Sequence, residues 1–216
     1  MWTDSSTYVA ELTQALRLLD TRTVDRLAQL LHRTYLLNRT VFCIGNGGSA
    51  AAATHLAADL PKLATRPGQP RLKAMSLVDS AAALTAAGND LAFEDVFVEQ
   101  LRTFLEPGDV VIGFSTSGRS KNVLKAMEYA NDHGAVTVGI TGADGGALRE
   151  VSSESLSVAS LSVQQIEDVS MIAAHLVCLA TRQLCVTEER IDTNDLLEQP
   201  AAADHLRLTI DMNPAA

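Results

Sequence analysis

Two imidazoles and two carboxylates interrupt otherwise apolar helical patterns in this chain. His55 and Asp59 stand four residues apart in "GNGGSAAAATHLAADL" (45–60), and Glu167 and His175 stand eight apart in 163–186. Both spacings return to nearly the same side of an α-helix, so each pair presents its imidazole and carboxylate together. Two such helices side by side would offer an N₂O₂ ligand set suited to zinc. Each residue also has an ordinary explanation. His55 fits a hydrogen-bonded core histidine, and Asp59, just before Leu60 and Pro61, fits a solvated face. His175 stands out, because "MIAAHLVCLA" is otherwise apolar and an ionisable group there is costly without a partner.

Two loops suit an anionic ligand. "FSTSGRSKN" places Ser115, Thr116, Ser117 and Ser120 after an apolar run and at the start of a helical pattern. Hydroxyls beside the free N–H groups of a helix N-terminus cradle a phosphate without needing a cation. One serine as a helix cap is the plainer alternative. The turn "GNGGSA" also meets the loose dinucleotide pattern through Gly45, Gly47 and Ala50, with Asp79 after the next apolar run. That acid comes about 30 residues on, later than the nucleotide pattern expects, and the chain is short for a dehydrogenase with its own substrate domain.

The elements that must position these groups follow from periodicity. Apolar runs at 40–45, 71–78, 109–118, 135–142 and, more weakly, 154–159 predict strands. Helical patterns fill 48–63, 80–87, 94–104, 120–132, 144–150 and 163–186. Alternation of this kind predicts an α/β fold with a parallel sheet covered on both faces. Residues 7–37 form a helical extension in front, which "LDTRT" divides. Three segments are expected: 1–38, a helical oligomerisation segment; 39–186, the α/β domain; and 187–216, an irregular tail.

Composition bounds the partners. The chain has 216 residues, is 47% apolar, and contains only five Phe, three Tyr and one Trp, so Ala, Leu and Val must fill the core. A net charge of −9 argues against nucleic acid. Cys43, Cys178 and Cys185 form no CxxC pair and suit reduced, buried thiols. The N-terminus has acids where a signal peptide would be basic, and no apolar stretch is expected to reach the 18 residues of a membrane span. A cytoplasmic protein without membrane contact is expected.

"GNGGSAAAATHLAADL", "AAGNDLAFEDVF", "PGDVVIGFSTSGRSKNVLKA" and "ITGADGGAL" together resemble the sugar-isomerase (SIS) domain, and more narrowly the phosphoheptose isomerases, over residues 8–186. The resemblance implies a single SIS domain with a five-stranded parallel sheet, and a homotetramer with active sites between subunits. It implies conversion of sedoheptulose 7-phosphate to glycero-manno-heptose 7-phosphate through an enediol. It further implies that Ser115, Thr116, Ser117 and Ser120 hold phosphate, and that Asn46, Gly47, Gly48, Ser49, Asn89, Asp90 and Glu167 contact the sugar. Asp59 and His175 would move the proton, and His55, Asp59, Glu167 and His175 would hold zinc.

The chain departs from that pattern at several positions. The family usually has Glu where this sequence has Asp59, and Gln where it has Glu167. Gln164 and Gln165 replace an Asp-Arg pair, and Lys62 and Leu63 occupy the region of a family Arg. A non-catalytic SIS protein that binds a sugar phosphate or a protein partner is the alternative.

Overall fold

The computed structural model describes residues 4–64 and 68–187. Asp4 caps α1 (Ser5–Arg17), and its carboxylate accepts from the N–H groups of Ser6 and Thr7. Asp20 opens α2 (Thr21–Leu36) by accepting from the N–H of Arg22. This second cap is why "LDTRT" ends one helix and begins another.

Five strands follow: β1 (Thr40–Gly45), β2 (Lys73–Ser76), β3 (Val110–Ser115), β4 (Val136–Thr141) and β5 (Glu154–Ser157). They form one parallel sheet in the order β2-β1-β3-β4-β5. Helix α3 (Gly48–Leu63) links β1 to β2, while α4 (Ala81–Asp90), a single 3₁₀ turn and α5 (Val98–Phe104) return the chain to β3. Helices α6 (Lys121–Asp132) and α7 (Gly146–Val151) follow β3 and β4, and α8 (Val163–Thr187) closes the described chain. The expected α/β class and five-strand parallel sheet are therefore observed. The tail assigned to 187–216 lies, beyond Thr187, outside the described residues.

The central strands bury both faces, which explains their near-continuous apolar runs. Val41, Cys43, Ile112 and Phe114 point to the side covered by α2, α3 and α8. Phe42, Ile44 and Val111 point to the side covered by α5, α6 and α7. Strand order reverses between β1 and β3, so the loops after these two strands diverge and leave a crevice at the sheet's carboxyl edge.

One sequence-level expectation needs correction. By length and composition α8 could cross a membrane, with a window of mean hydropathy 1.6. Packing explains that composition: Ile166, Val169, Ala173, Ala174, Val177, Cys178 and Cys185 are buried, and the helix also carries Glu167, Asp168, His175 and Arg182. The α2 stripe of Val24, Leu27 and Leu31 is likewise buried within the chain. Burial pushes the thiols of Cys43 and Cys178 up, the latter to about 11 with help from the Asp59 charge, so both stay protonated at neutral pH.

Candidate active site

Helix α3 starts in the glycine turn, and the turn's geometry fixes where that helix points. Gly47 has φ +57°, a region that favours glycine, and a β-carbon at Gly45 would collide with the carbonyl of Ser49. From Gly48 the helix runs seven residues to His55 and eleven to Asp59, about 10 and 16 Å at 1.5 Å per residue. Helix α8 lies beside it. A β-carbon at Gly48 would collide with the Glu167 carboxylate, and His55 meets His175 further along. Offsets of seven residues on one helix and eight on the other mean that α3 and α8 run side by side in the same direction.

His55 Nε2 and His175 Nε2 are 2.8 Å apart, and Asp59 Oδ2 lies 3.2 Å from the first and 3.8 Å from the second. The rings meet edge to face with centroids 4.8 Å apart. His175 is thus not an apolar-core histidine. Its side chain is 47% exposed and that of His55 44%, whereas Asp59 is mostly covered at 18%. The three ligand atoms could hold one metal ion. Donors 2.0–2.1 Å from a tetrahedral zinc lie about 3.3 Å from one another, and the three observed separations bracket that value.

Glu167, expected as a fourth ligand, does not join this group. It sits two turns earlier on α8, about 12 Å along the axis from His175, and its half-buried carboxylate faces the glycine turn. Equal helix faces brought the pairs to one side, but the axial rise separated them.

The serine loop closes the other side of the crevice. Ser115 is buried at the end of β3, with its Oγ 3.1 Å from Ser120 Oγ. Ser120 occupies the N-cap of α6, yet its hydroxyl makes no capping bond. The plain capping explanation therefore fails: the Ser120 hydroxyl turns to Ser115 instead, the Val123 N–H donates to the Asn122 side chain, and the N–H groups of Lys121 and Asn122 are left to an anion. Ser117 Oγ accepts from the N–H of Arg119, whose guanidinium pairs with Asp144. The loop after β4 props this one from behind: Gly142 N–H donates to the Thr116 carbonyl, and Leu148 N–H donates to that of Gly118.

Asn122 was not singled out from sequence, although an Asn in the first turn after a serine loop was a visible signal. It is buried, and it exchanges two amide hydrogen bonds of 2.9 Å with Asn46. This pair ties the glycine turn to the serine loop across the β1/β3 crevice. Ser49 is buried in the first turn of α3. Asn89 and Asp90 end α4, hydrogen-bonded to each other at 2.8 Å. Asp90 lines an open groove of about 950 Å³ among β2, α3, α4 and α5, whose lining includes neither the histidines nor the serine loop. Within one chain the structure does not bring Asn89 and Asp90 to the His–Asp–His group. Asp79, the acid of the nucleotide pattern, accepts from Thr54 Oγ1 at 2.8 Å in that same groove.

Gly118 supplies a sharp test of the loop. Its φ is +62°, and a β-carbon there would run into the Gly145 carbonyl. Backbone cannot yield as a flexible side chain does, so Gly118→Ala should cost at least about 1–2 kcal/mol of stability from the left-handed conformation alone. Thermal melting checks the cost. Calorimetry should show weakened phosphate binding in whatever fraction remains folded.

Residues 6–142 match the family model for the SIS domain. Over 148 residues the chain is 43% identical to a phosphoheptose isomerase of Rhodospirillum rubrum, covering 68% of this chain and 78% of that protein. It is 34% identical over 175 residues to a probable phosphoheptose isomerase of Thermoplasma volcanium, covering 81% and 89%. Among solved structures, the phosphoheptose isomerase of Neisseria gonorrhoeae superposes with a TM-score of 0.74 at 31% identity, covering 82% of this chain and 96% of that one. The crevice with its serine loop, the paired histidines and these likenesses converge: the chain belongs to the SIS-domain phosphoheptose isomerase family, a family of isomerases.

Proposed function

We propose that this isomerase interconverts sedoheptulose 7-phosphate and glycero-manno-heptose 7-phosphate in the cytoplasm. The observation that carries the reading is the meeting of His55, Asp59 and His175 about two turns down α3 from an anion-ready crevice. An extended sugar phosphate spans that distance, with phosphate at Ser115, Thr116, Ser117 and Ser120 and the carbonyl end near the histidines. Asn46, Gly47, Gly48, Ser49 and Glu167 line the path between.

The chemistry moves one proton between adjacent carbons. The Asp59 carboxylate takes the proton from C1 of the ketose while His175 donates a proton from its ring nitrogen Nδ1 to the C2 oxygen, which gives the enediol. Asp59 then returns its proton to C2, and His175 recovers one from the C1 hydroxyl, leaving the aldose. His55, Asp59 and His175 would hold zinc, while Glu167, about 12 Å along α8 from His175, stays with the glycine turn rather than serving as a fourth ligand. A zinc ion bound there supplies Lewis-acid polarisation of the carbonyl.

The half-exposed histidines favour a site finished by another subunit. Leu176 and Leu179 are exposed on the same helix, and α4, although its sequence is AAALTAAGND, buries no residue completely. A homotetramer that covers α4 and the outer face of α8 would bring Asn89 and Asp90 of one copy toward the site of another. Light scattering should give about four times the 23.0 kDa of one chain. A monomer at micromolar concentration would contradict this.

Incubating the purified protein with sedoheptulose 7-phosphate and following aldose formation by NMR tests the function. Binding without turnover, with zinc supplied, would favour the non-catalytic alternative.

A further inference from the structure

Helix α1 carries none of the residues assigned above, yet it is fastened at two points to the start of α8. Tyr8 OH donates to Asp168 Oδ2 at 2.6 Å, and Gln165 Nε2 donates to Glu11 Oε2 at 2.8 Å. Both partners are three residues apart on both helices, so the bonds form matched rungs between facing sides. Gln165 is buried, and its Oε1 accepts from Ser160 Oγ at 2.7 Å, which extends the tie to the segment entering α8. Beneath the rungs, Leu12, Leu16 and Leu19 pack against a cluster containing Ala15, Val158, Ile166 and Val169. The Asp168 carboxylate pushes the Tyr8 hydroxyl up to about 12, so the phenol keeps its proton and the rung stays charge-assisted at neutral pH.

Glu167 lies between the two rungs, and its side chain leaves α8 on another side to press its carboxylate against Gly48. The first turn of a helix is the part most prone to fray, and this one follows an irregular entry. We propose that α1 is a positioning clasp: Tyr8 and Glu11, acting through Asp168 and Gln165, hold Glu167 against the glycine turn and thereby set the affinity of the sugar crevice. Tyr8 and Glu11 are positioning residues that touch neither substrate nor the histidines. The substrate part of this inference rests on the isomerase reading above.

The test uses the full-length protein with Tyr8→Phe, Glu11→Ala and the conservative Glu11→Gln, which keeps an acceptor for Gln165. Tyr8→Phe and Glu11→Ala should each raise KM for sedoheptulose 7-phosphate about three- to tenfold, the usual range for one lost hydrogen bond, with kcat within about twofold. Glu11→Gln should restore near-parental KM. Hydrogen–deuterium exchange should quicken at 164–168 and at 47–50 in the first two variants, with zinc titration unchanged. Exchange and KM equal to the parent would overturn the clasp. So would a lowered melting temperature with unchanged KM, which reduces α1 to a structural tie. Should the parent protein fail to turn over the sugar, the isomerase reading fails, while the exchange at 47–50 still decides whether α1 governs the glycine turn.

Discussion

With His175→Ala, zinc binding at the His–Asp–His group and isomerase turnover are both expected to disappear, while the fold survives. His175 Nε2 is 2.8 Å from His55 Nε2, and its removal leaves one imidazole and one carboxylate, too few for a tight site. The same side chain hands a proton to and from the sugar oxygens in the proposed reaction. Loss of such a group costs about 10²–10⁴-fold in rate. Stability should hardly change, within about 0.5 kcal/mol, because the side chain is half exposed and fills no core space. Metal analysis, NMR turnover and thermal melting on one preparation separate these outcomes. Retained zinc stoichiometry with full activity would remove His175 from the site.

Asp59 gives the second large effect, and its two substitutions should move in opposite directions. Asp59→Asn keeps the shape and abolishes the base, so turnover should fall by about 10²–10⁴-fold. Asp59→Glu adds one methylene to the arm and keeps the carboxylate. As it stands, Asp59 Oδ2 already reaches both imidazoles, so its length is adequate for the ligand group. What a longer arm would improve is the approach to the substrate carbon, where an error of about 1 Å is worth up to roughly 10²-fold. Turnover by Asp59→Glu should therefore rise above the parent. A fall to the level of Asp59→Asn would mean that Asp59 is fitted to this chain's own geometry.

Glu167 shows where a one-dimensional pattern stops being sufficient. Its eight-residue spacing from His175 places both on one side of α8, and from sequence that made it a candidate partner of the histidine. The spacing also implies about 12 Å of axial rise, and which of the two meets His55 depends on how far α8 is slid along α3. That slide is a matter of how α3 and α8 pack, and Leu56, Ala57 and Leu60 share one buried cluster with Ala173, Ala174 and Val177, residues far apart in the chain. The structure puts His175 opposite His55 and Glu167 opposite Gly48.

Periodicity, glycine placement and local caps are written in consecutive residues, and they determined the elements of this protein. The strand at 40–45 and the helix at 48–63 agree with β1 and α3 residue for residue, because an apolar run, a glycine turn and an alanine-rich stretch each act over a few positions. The alternation of strand and helix determined the parallel sheet for the same reason. His55, Asp59 and the four hydroxyls of 115–120 were legible because their spacing is local. The tertiary structure alone decided the Asn46–Asn122 bridge, the rungs from Tyr8 and Glu11 to α8, and the release of Ser120 from its capping role. Each joins segments that only strand order and helix packing bring together, and neither the order nor the slide of one helix along another is encoded by any single stretch of sequence.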